Sequence, residues 1–353
     1  MRVFASRAGR SSIIVIFMVL FLISLLKLPN GTLREVSLPE FASSFSSSLS
    51  PPASDVDWSR YAYVQYVTNT DYLCNSVMIF EALSRMKSKV DRLMMFPSNF
   101  KLDNDSLEGK LLLRARDQYG VQLVSITVQS RHTDEATWAK SYTKLLAFNQ
   151  TQYDRVLSLD SDATVLQPMD ELFLLPPCPV AMPRAYWGNF DDRVLGSYIM
   201  LIQPSEFDFN RVMNAMEAAS GSEYDMEIVN HLYRDSALVL PHRPYGLLTG
   251  EFRSNHHSAY LGNEVEVWDP EQVLKEAKFL HFSDWPPWIR TPESIMQENQ
   301  PICHKDPLSG AEDCRARDLW LGFYRDFARR REEICGMSVL NGTERTLGKR
   351  WRL

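Results

Sequence analysis

The sequence predicts an α/β domain on a central sheet that is parallel in its first half, set behind an N-terminal membrane anchor. Three features predict it. From Tyr61 onward, β-branched and aromatic runs alternate with runs of helical period. The run Arg155-Val156-Leu157-Ser158-Leu159 reads as a buried strand and delivers Asp160 at its end. Near the N-terminus, Ile13 to Leu26 is apolar apart from Ser24.

Ser11 to Leu28 makes 18 residues, close to the shortest stretch that crosses a bilayer. A cleaved signal peptide is the alternative, but no small-X-small cleavage pattern follows the run, which favours an uncleaved anchor. Arg2, Arg7 and Arg10 precede it and only Lys27 lies at its far end, so residues 1–10 are expected in the cytosol and the rest in the lumen. Residues 29–57, rich in Ser, Pro and Ala, lack the apolar content to fold and read as a flexible stem. Residues 58–353 are the expected lumenal domain.

Within it, Tyr61–Val67 is the first expected strand, Thr68 to Asp71 a turn, and Tyr72 to Lys87 an amphipathic helix. Val90–Phe96 is a second strand, followed by a polar loop from Pro97 to Asp105. A helix over Leu107–Tyr119, a strand over Val121–Val128 and a helix over Trp138–Phe148 then lead to the strand ending on Asp160. The pattern loosens beyond about Pro176. Val194–Gln203 reads as an apolar strand, Phe207–Ala219 and Asp225–Tyr233 as helices, Pro241–Gly262 as a loop, and Lys278–Phe282 as a strand. Asp318–Ile334 is a last helix, whose Arg329-Arg330-Arg331 cluster reads as a solvated face.

The formal net charge of −6, with four basic and no acidic residues before Pro29, leaves −10 on the remainder. With no long basic run on the folded part, this argues against a nucleic-acid binder. Asn30, Asn104, Asn149 and Asn341 each begin a glycosylation sequon, in keeping with a lumenal domain. All five cysteines follow the span, and an odd number leaves at least one outside any intrachain pair. Cys303 and Cys314, flanking a polar loop, are the expected disulfide.

The chemistry concentrates on Asp160-Ser161-Asp162. The C-terminal edge of an open α/β sheet is where ligands bind, and two carboxylates one residue apart point the same way. Together they can address one hard divalent cation, which in turn holds phosphate oxygens. The same triplet is also an ordinary turn sequence. His281, at the end of another strand in the same sheet, can complete the coordination, and mixed imidazole–carboxylate ligation favours manganese over magnesium. A lone histidine is more often structural.

The segments Tyr142-Thr143-Lys144-Leu145-Leu146-Ala147-Phe148, Tyr153 through Leu166, and Met169-Asp170-Glu171-Leu172-Phe173 together resemble the glycogenin-like transferases of glycosyltransferase family 8. Val67 to Tyr72, Asp225 to Asn230 and His281-Phe282 extend the resemblance over most of residues 61–290. Leu247 to Arg253 and His281 to Pro286 are similar to fungal membrane-anchored N-acetylglucosaminyltransferases. The resemblance implies a single Rossmann-like nucleotide-diphospho-sugar transferase domain of the GT-A type with a mixed central sheet. It implies Mn2+ on Asp160, Asp162 and His281, and a UDP-sugar held by Thr68, Asn69, Tyr72, Lys144 and the Asp160-Ser161-Asp162 turn. Lys144 would neutralise the donor and Asp225 would stand by the reacting sugar, as the two catalytic candidates. On residue type alone, Tyr72 is equally a core aromatic, Lys144 a surface charge and Asp225 a helix cap.

The activity so implied is retaining transfer of a sugar, foremost N-acetylglucosamine, to a mannose-containing glycan by a type II Golgi membrane protein. UDP-glucose or UDP-galactose are the alternative donors, and a lumenal nucleotide-sugar or glycan binder without turnover is the alternative class. The chain departs from the family at Asp284, where a glycine is usual, and lacks the phosphate lysine of that motif, which Arg290 would replace. Met226 stands in place of a glutamine, and the usual Asn-Ser-Gly is absent, with Leu195-Gly196-Ser197 nearby.

Overall fold

The computed structural model describes residues 56–130, 139–188, 190–221, 223–284, 293–305 and 310–337. The predicted tail, span and stem up to Asp55, the Asn30 and Asn341 sequons, and Trp285 to Arg290 lie outside the described residues. The chain divides into Met1–Val56 and Asp57–Leu353, and every strand and helix named below belongs to the second unit. No helix of the described residues is long and apolar enough to cross a membrane.

A seven-stranded sheet in the order β3-β2-β1-β4-β7-β6-β8 forms the centre. Its strands are β1 (Tyr61–Tyr66), β2 (Asp91–Pro97), β3 (Val121–Ile126), β4 (Arg155–Leu159), β6 (Val180–Pro183), β7 (Ile199–Ile202) and β8 (Leu238–Leu240). β1 runs parallel to β2 and β4, and β2 parallel to β3, whereas β7 is antiparallel to both β4 and β6. The sheet is therefore mixed, as the resemblance implies, and parallel in its first half, as the alternation predicts. Between the strands lie α1 (Thr70–Arg85), α2 (Leu107–Tyr119), α3 (Glu206–Ala218) and α4 (Asp225–Tyr233), and α5 (Arg315–Cys335) closes the described chain.

Neighbouring residues of β1 enter different cores. Tyr63 packs with α1 and Leu157 on one side of the sheet, while Ala62 and Val64 join Val156, Val212 and Ile228 on the other. A strand buried on both faces carries apolar side chains on both, which is why Val156, Leu157 and Leu159 of β4 do not alternate with exposed polar residues. Arg155 tolerates its buried place because its guanidinium donates to the carbonyls of Phe173 at 3.0 Å and Leu175 at 2.5 Å.

A second, three-stranded sheet joins β5 (Ala163–Val165), β10 (Phe279–His281) and β9 (Leu247–Leu248) in the order β5-β10-β9. His281 thus lies outside the main sheet, correcting its expected position. β9 also corrects the expected loop over Pro241–Gly262, part of which is held as a strand beside Leu280 and His281.

Two other segments differ from expectation. Ser141–Asn149 is a 3₁₀ helix, closed by Thr143 N–H to Lys140 O and flanked by two hydrogen bonds between Thr143 Oγ1 and the Gln129 backbone. The strand expected over Val194–Gln203 shrinks to Ile199–Ile202. Asn230 of α4 takes both backbone groups of Leu195 with its carboxamide, and Leu195 keeps a single bridge to Arg184 beyond the end of β6.

The basic cluster of α5 is not a solvated face. Arg330 and Arg331 are buried against α1. Arg330 donates to Met78 O and Glu81, each at 2.8 Å, and Arg331 to Asp71 at 2.8 Å and to Asn75. Only Arg329 turns outward, to Asp326 and Glu333. A disulfide between Cys74 and Cys335 fixes the same contact across 261 residues. Closing so long a loop constrains the unfolded chain by about 5–6 kcal/mol in the chain-entropy treatment. Composition does not reveal this pair. The expected Cys303–Cys314 disulfide is present beside the short pair β11 (His304–Lys305) and β12 (Glu312–Asp313), and Cys178 is free.

Candidate active site

β4 ends at Leu159, and the chain turns through Asp160, Ser161 and Asp162 into β5. The turn is held at both ends. Asp160 N–H donates to Tyr198 O at 2.9 Å, and the buried carboxamide of Gln65 donates to Leu159 O at 2.8 Å. Antiparallel pairing sets His281 of β10 opposite Ala163, and Phe282 N–H donates to Asp162 O at 2.9 Å. This register, formed between segments more than a hundred residues apart, brings the imidazole to the two carboxylates.

The result is a compact group. His281 Nε2 lies 3.4 Å from Asp162 Oδ1 and 3.7 Å from Asp160 Oδ2, and ligand atoms of all three residues fall within 4.8 Å of one another. Both ring nitrogens of His281 are buried without a hydrogen-bond partner. A buried imidazole lacking partners beside two carboxylates is the donor set a divalent transition metal takes. Asp160, Asp162 and His281 therefore fit such an ion. Burial disfavours the imidazolium, but Asp162 and Asp160 outweigh it and hold the His281 pKa up to about 9. In the same way, His281 outweighs the burial of Asp162 and keeps its carboxyl below the ordinary range.

Asp160 divides its two oxygens. Oδ2 faces His281, whereas Oδ1 accepts from Tyr66 OH at 3.2 Å and lies 2.7 Å from Lys144 Nζ. Lys144 is only 3% exposed and reaches Asp225 Oδ2 at 2.8 Å and Ser197 O at 3.2 Å. Its placement is not that of a surface charge. Burial would lower its pKa, but Asp160 and Asp225 reverse that and raise it above the ordinary lysine value. Asp225, first residue of α4, also accepts from Ser197 Oγ at 2.7 Å, so its carboxylate serves the cleft and not the helix end, where Tyr224 is the cap.

These groups open onto a cavity of about 340 Å³, within the range of small-molecule sites. Thr68, Tyr72, Lys144, Asp160, Asp162, Asp225 and His281 all line it. Asn69 and Ser161 do not. The Asn69 carboxamide caps α1 by accepting from Tyr72 N–H, which orients the helix start that presents Tyr72, and Ser161 is buried beneath the turn. Tyr66 and Ser197 were not singled out from sequence. The pleat of β1 gives Tyr66 a position but not its hydroxyl contact, and Ser197, named from sequence only in the departure from the family pattern, shows its contact with Asp225 only in the fold.

Asp284 is also accounted for. Its buried carboxylate accepts from Trp320 Nε1 at 2.9 Å and Tyr324 OH at 2.7 Å, and pairs with Arg253 at 3.2 Å. The residue in the glycine position thus ties the turn after β10 to α5.

A protein of Aspergillus fumigatus named glucose N-acetyltransferase 1 is 46% identical over 300 residues, covering 79% of this chain and 78% of its own length. The chain belongs to the glucose N-acetyltransferase 1 family. The protein of that name from Gibberella zeae is 57% identical over 291 residues, covering 79% of this chain; the chain spans 63% of that relative's length. The Saccharomyces cerevisiae protein of that name is 27% identical over 413 residues, covering 79% of this chain and 82% of its own. No family profile matches the chain.

Among solved structures, the bifunctional glycosyltransferase WbbM aligns with a TM-score of 0.53 at 15% identity, covering 82% of this chain and 53% of its own. An active-site mutant of LgtC aligns with a TM-score of 0.51 at 10% identity, covering 76% of this chain and 95% of its own. The chain therefore has the mixed α/β fold of GT-A-like glycosyltransferases.

Proposed function

We propose that this chain is a metal-dependent retaining glycosyltransferase of the glycogenin-like family 8, moving N-acetylglucosamine from UDP-N-acetylglucosamine to a mannose-containing glycan. One observation carries the reading: the Asp160–Asp162–His281 group adjoins the buried Lys144–Asp225 pair at the end of β4, on a glycosyltransferase fold. Asp160, Asp162 and His281 would hold Mn2+, which as a Lewis acid supplies stabilisation of the charge on a departing diphosphate. Lys144 adds a fixed ammonium, already oriented by two carboxylates and a carbonyl, so no reorganisation is needed as negative charge develops. Tyr72 and Thr68 line the cavity where uracil and ribose would lie.

Support for the donor comes from two sides. The relatives' name joins glucose with an N-acetyl group. Met226 is the single aliphatic side chain among the described residues lining the cavity, and it offers an apolar contact to an acetyl methyl that glucose and galactose lack. We also propose type II anchoring through residues 11–28 with the domain in the Golgi lumen. The apolar run and its flanking arginines support this, as do two disulfides, which persist in oxidising compartments.

The test is UDP release by the purified full chain over a panel of UDP-sugars, with Mn2+ or with chelator, and with or without mannose oligosaccharides. Manganese-dependent release, greatest with UDP-N-acetylglucosamine and stimulated by the oligosaccharide, is expected. Preference for UDP-glucose or UDP-galactose would replace the donor. UDP binding with no release under any condition would favour a binding protein.

A further inference from the structure

Between β6 and β7 the chain folds into a hairpin beside the cleft. It is fastened by Ala185 N–H to Val194 O, by Gly196 N–H to Pro183 O and by the bridge between Arg184 and Leu195. One end supplies Ser197 to Asp225. Towards the tip stands Trp187, 47% exposed and the one exposed tryptophan among the described residues.

The indole is exposed but not loose. It packs edge-on to Tyr186 at 5.4 Å and tilted against Tyr198 at 5.8 Å. Gly196 makes this seat possible: a Cβ there would lie 2.5 Å from the Tyr198 ring and 3.2 Å from that of Trp187. Tyr198 in turn lies 5.5 Å from the His281 ring, so the aromatic path runs directly to the candidate metal group. Tyr186 stacks on His242 at 4.7 Å, which fixes the ring that Trp187 leans on. A half-exposed, immobilised aromatic face is not explained by core packing. It suits a ligand with an apolar face, such as a pyranose ring presents.

We propose that Trp187 is a stacking platform for a sugar ring of the acceptor glycan, two ring contacts from His281. The proposal rests on the glycosyl-transfer reading for the identity of its ligand, but not for the existence of a saccharide site. Donor and acceptor are then divided between two walls: nucleotide-sugar against Tyr72 and the β4 turn, acceptor against the hairpin.

The test compares the full-length protein with Trp187→Ala and Trp187→Phe. For transfer to a mannose oligosaccharide, Trp187→Ala is expected to raise the acceptor KM about tenfold or more, with Trp187→Phe in between and the donor KM changed less than about twofold. An unchanged acceptor KM, or equal changes in donor and acceptor KM, would overturn the platform. Tryptophan fluorescence titrated with mannose oligosaccharide keeps the test independent of turnover. A saturable change in the wild type that is lost in Trp187→Phe supports the site even if no donor is turned over. Its absence from the wild type would overturn it.

Discussion

Replacing Asp162 with asparagine is expected to lower the transfer rate about 10²–10³-fold while the protein stays folded. Asp162 is 32% exposed on its side chain, and its ionic partner is His281, so the substitution leaves no deeply buried orphan charge. What it removes is one of two anionic ligands. Asp160 alone then faces the ion, and one of its oxygens is already taken by Lys144 and Tyr66. An amide oxygen keeps the shape but not the charge, so divalent-ion affinity falls together with turnover. Initial rates across a manganese titration, with calorimetric binding of the ion, check this. Turnover within tenfold of the wild type, with unchanged ion binding, would remove Asp162 from the metal site.

The Lys144→Met substitution is expected to affect stability as well as turnover. The ammonium sits 2.7 Å from Asp160 and 2.8 Å from Asp225, and the lysine side chain is nearly inaccessible. Deleting one member of a buried ionic set leaves the others uncompensated, at a cost of about 3–5 kcal/mol. Because the Lys144 pKa is raised in the fold, its contribution is fully present below the unfolded value of 10.5 and is lost only as pH rises through the folded value. The loss in Lys144→Met is therefore constant between about pH 6 and 9. Added Mn2+ should recover part of it, since a cation on Asp160 relieves the same excess negative charge. Urea unfolding with and without Mn2+ measures both effects. A midpoint equal to that of the wild type would mean that Lys144 is not paired in solution.

Much of the site was legible because its chemistry is local. An apolar strand ending in Asp160-Ser161-Asp162 states in consecutive residues that a rigid element presents two carboxylates at a sheet edge. Lys144 was not legible from residue type, since a helical lysine reads as solvated. Resemblance pointed to it, and the reason for its burial is the pair of carboxylates around it. Arg330 and Arg331 carry the same lesson without a resemblance to help. They read as a charged face, yet Asp71, Asn75 and Glu81 on α1 make burial favourable.

By itself, the sequence determined the alternation that makes the sheet parallel in its first half and the strand that presents the carboxylates, and it pointed to the pairing of Cys303 with Cys314. These follow from side-chain period, turn chemistry and short separations along the chain. Tertiary structure alone decided that His281 lies in a second sheet opposite Ala163, that Cys335 closes on Cys74, that Ser197 donates to Asp225, and that Trp187 is seated beside the cleft. Each of these joins residues whose local patterns are compatible with several partners. The choice is made by register and by the need to satisfy buried polar groups, and both act only once distant segments are packed together.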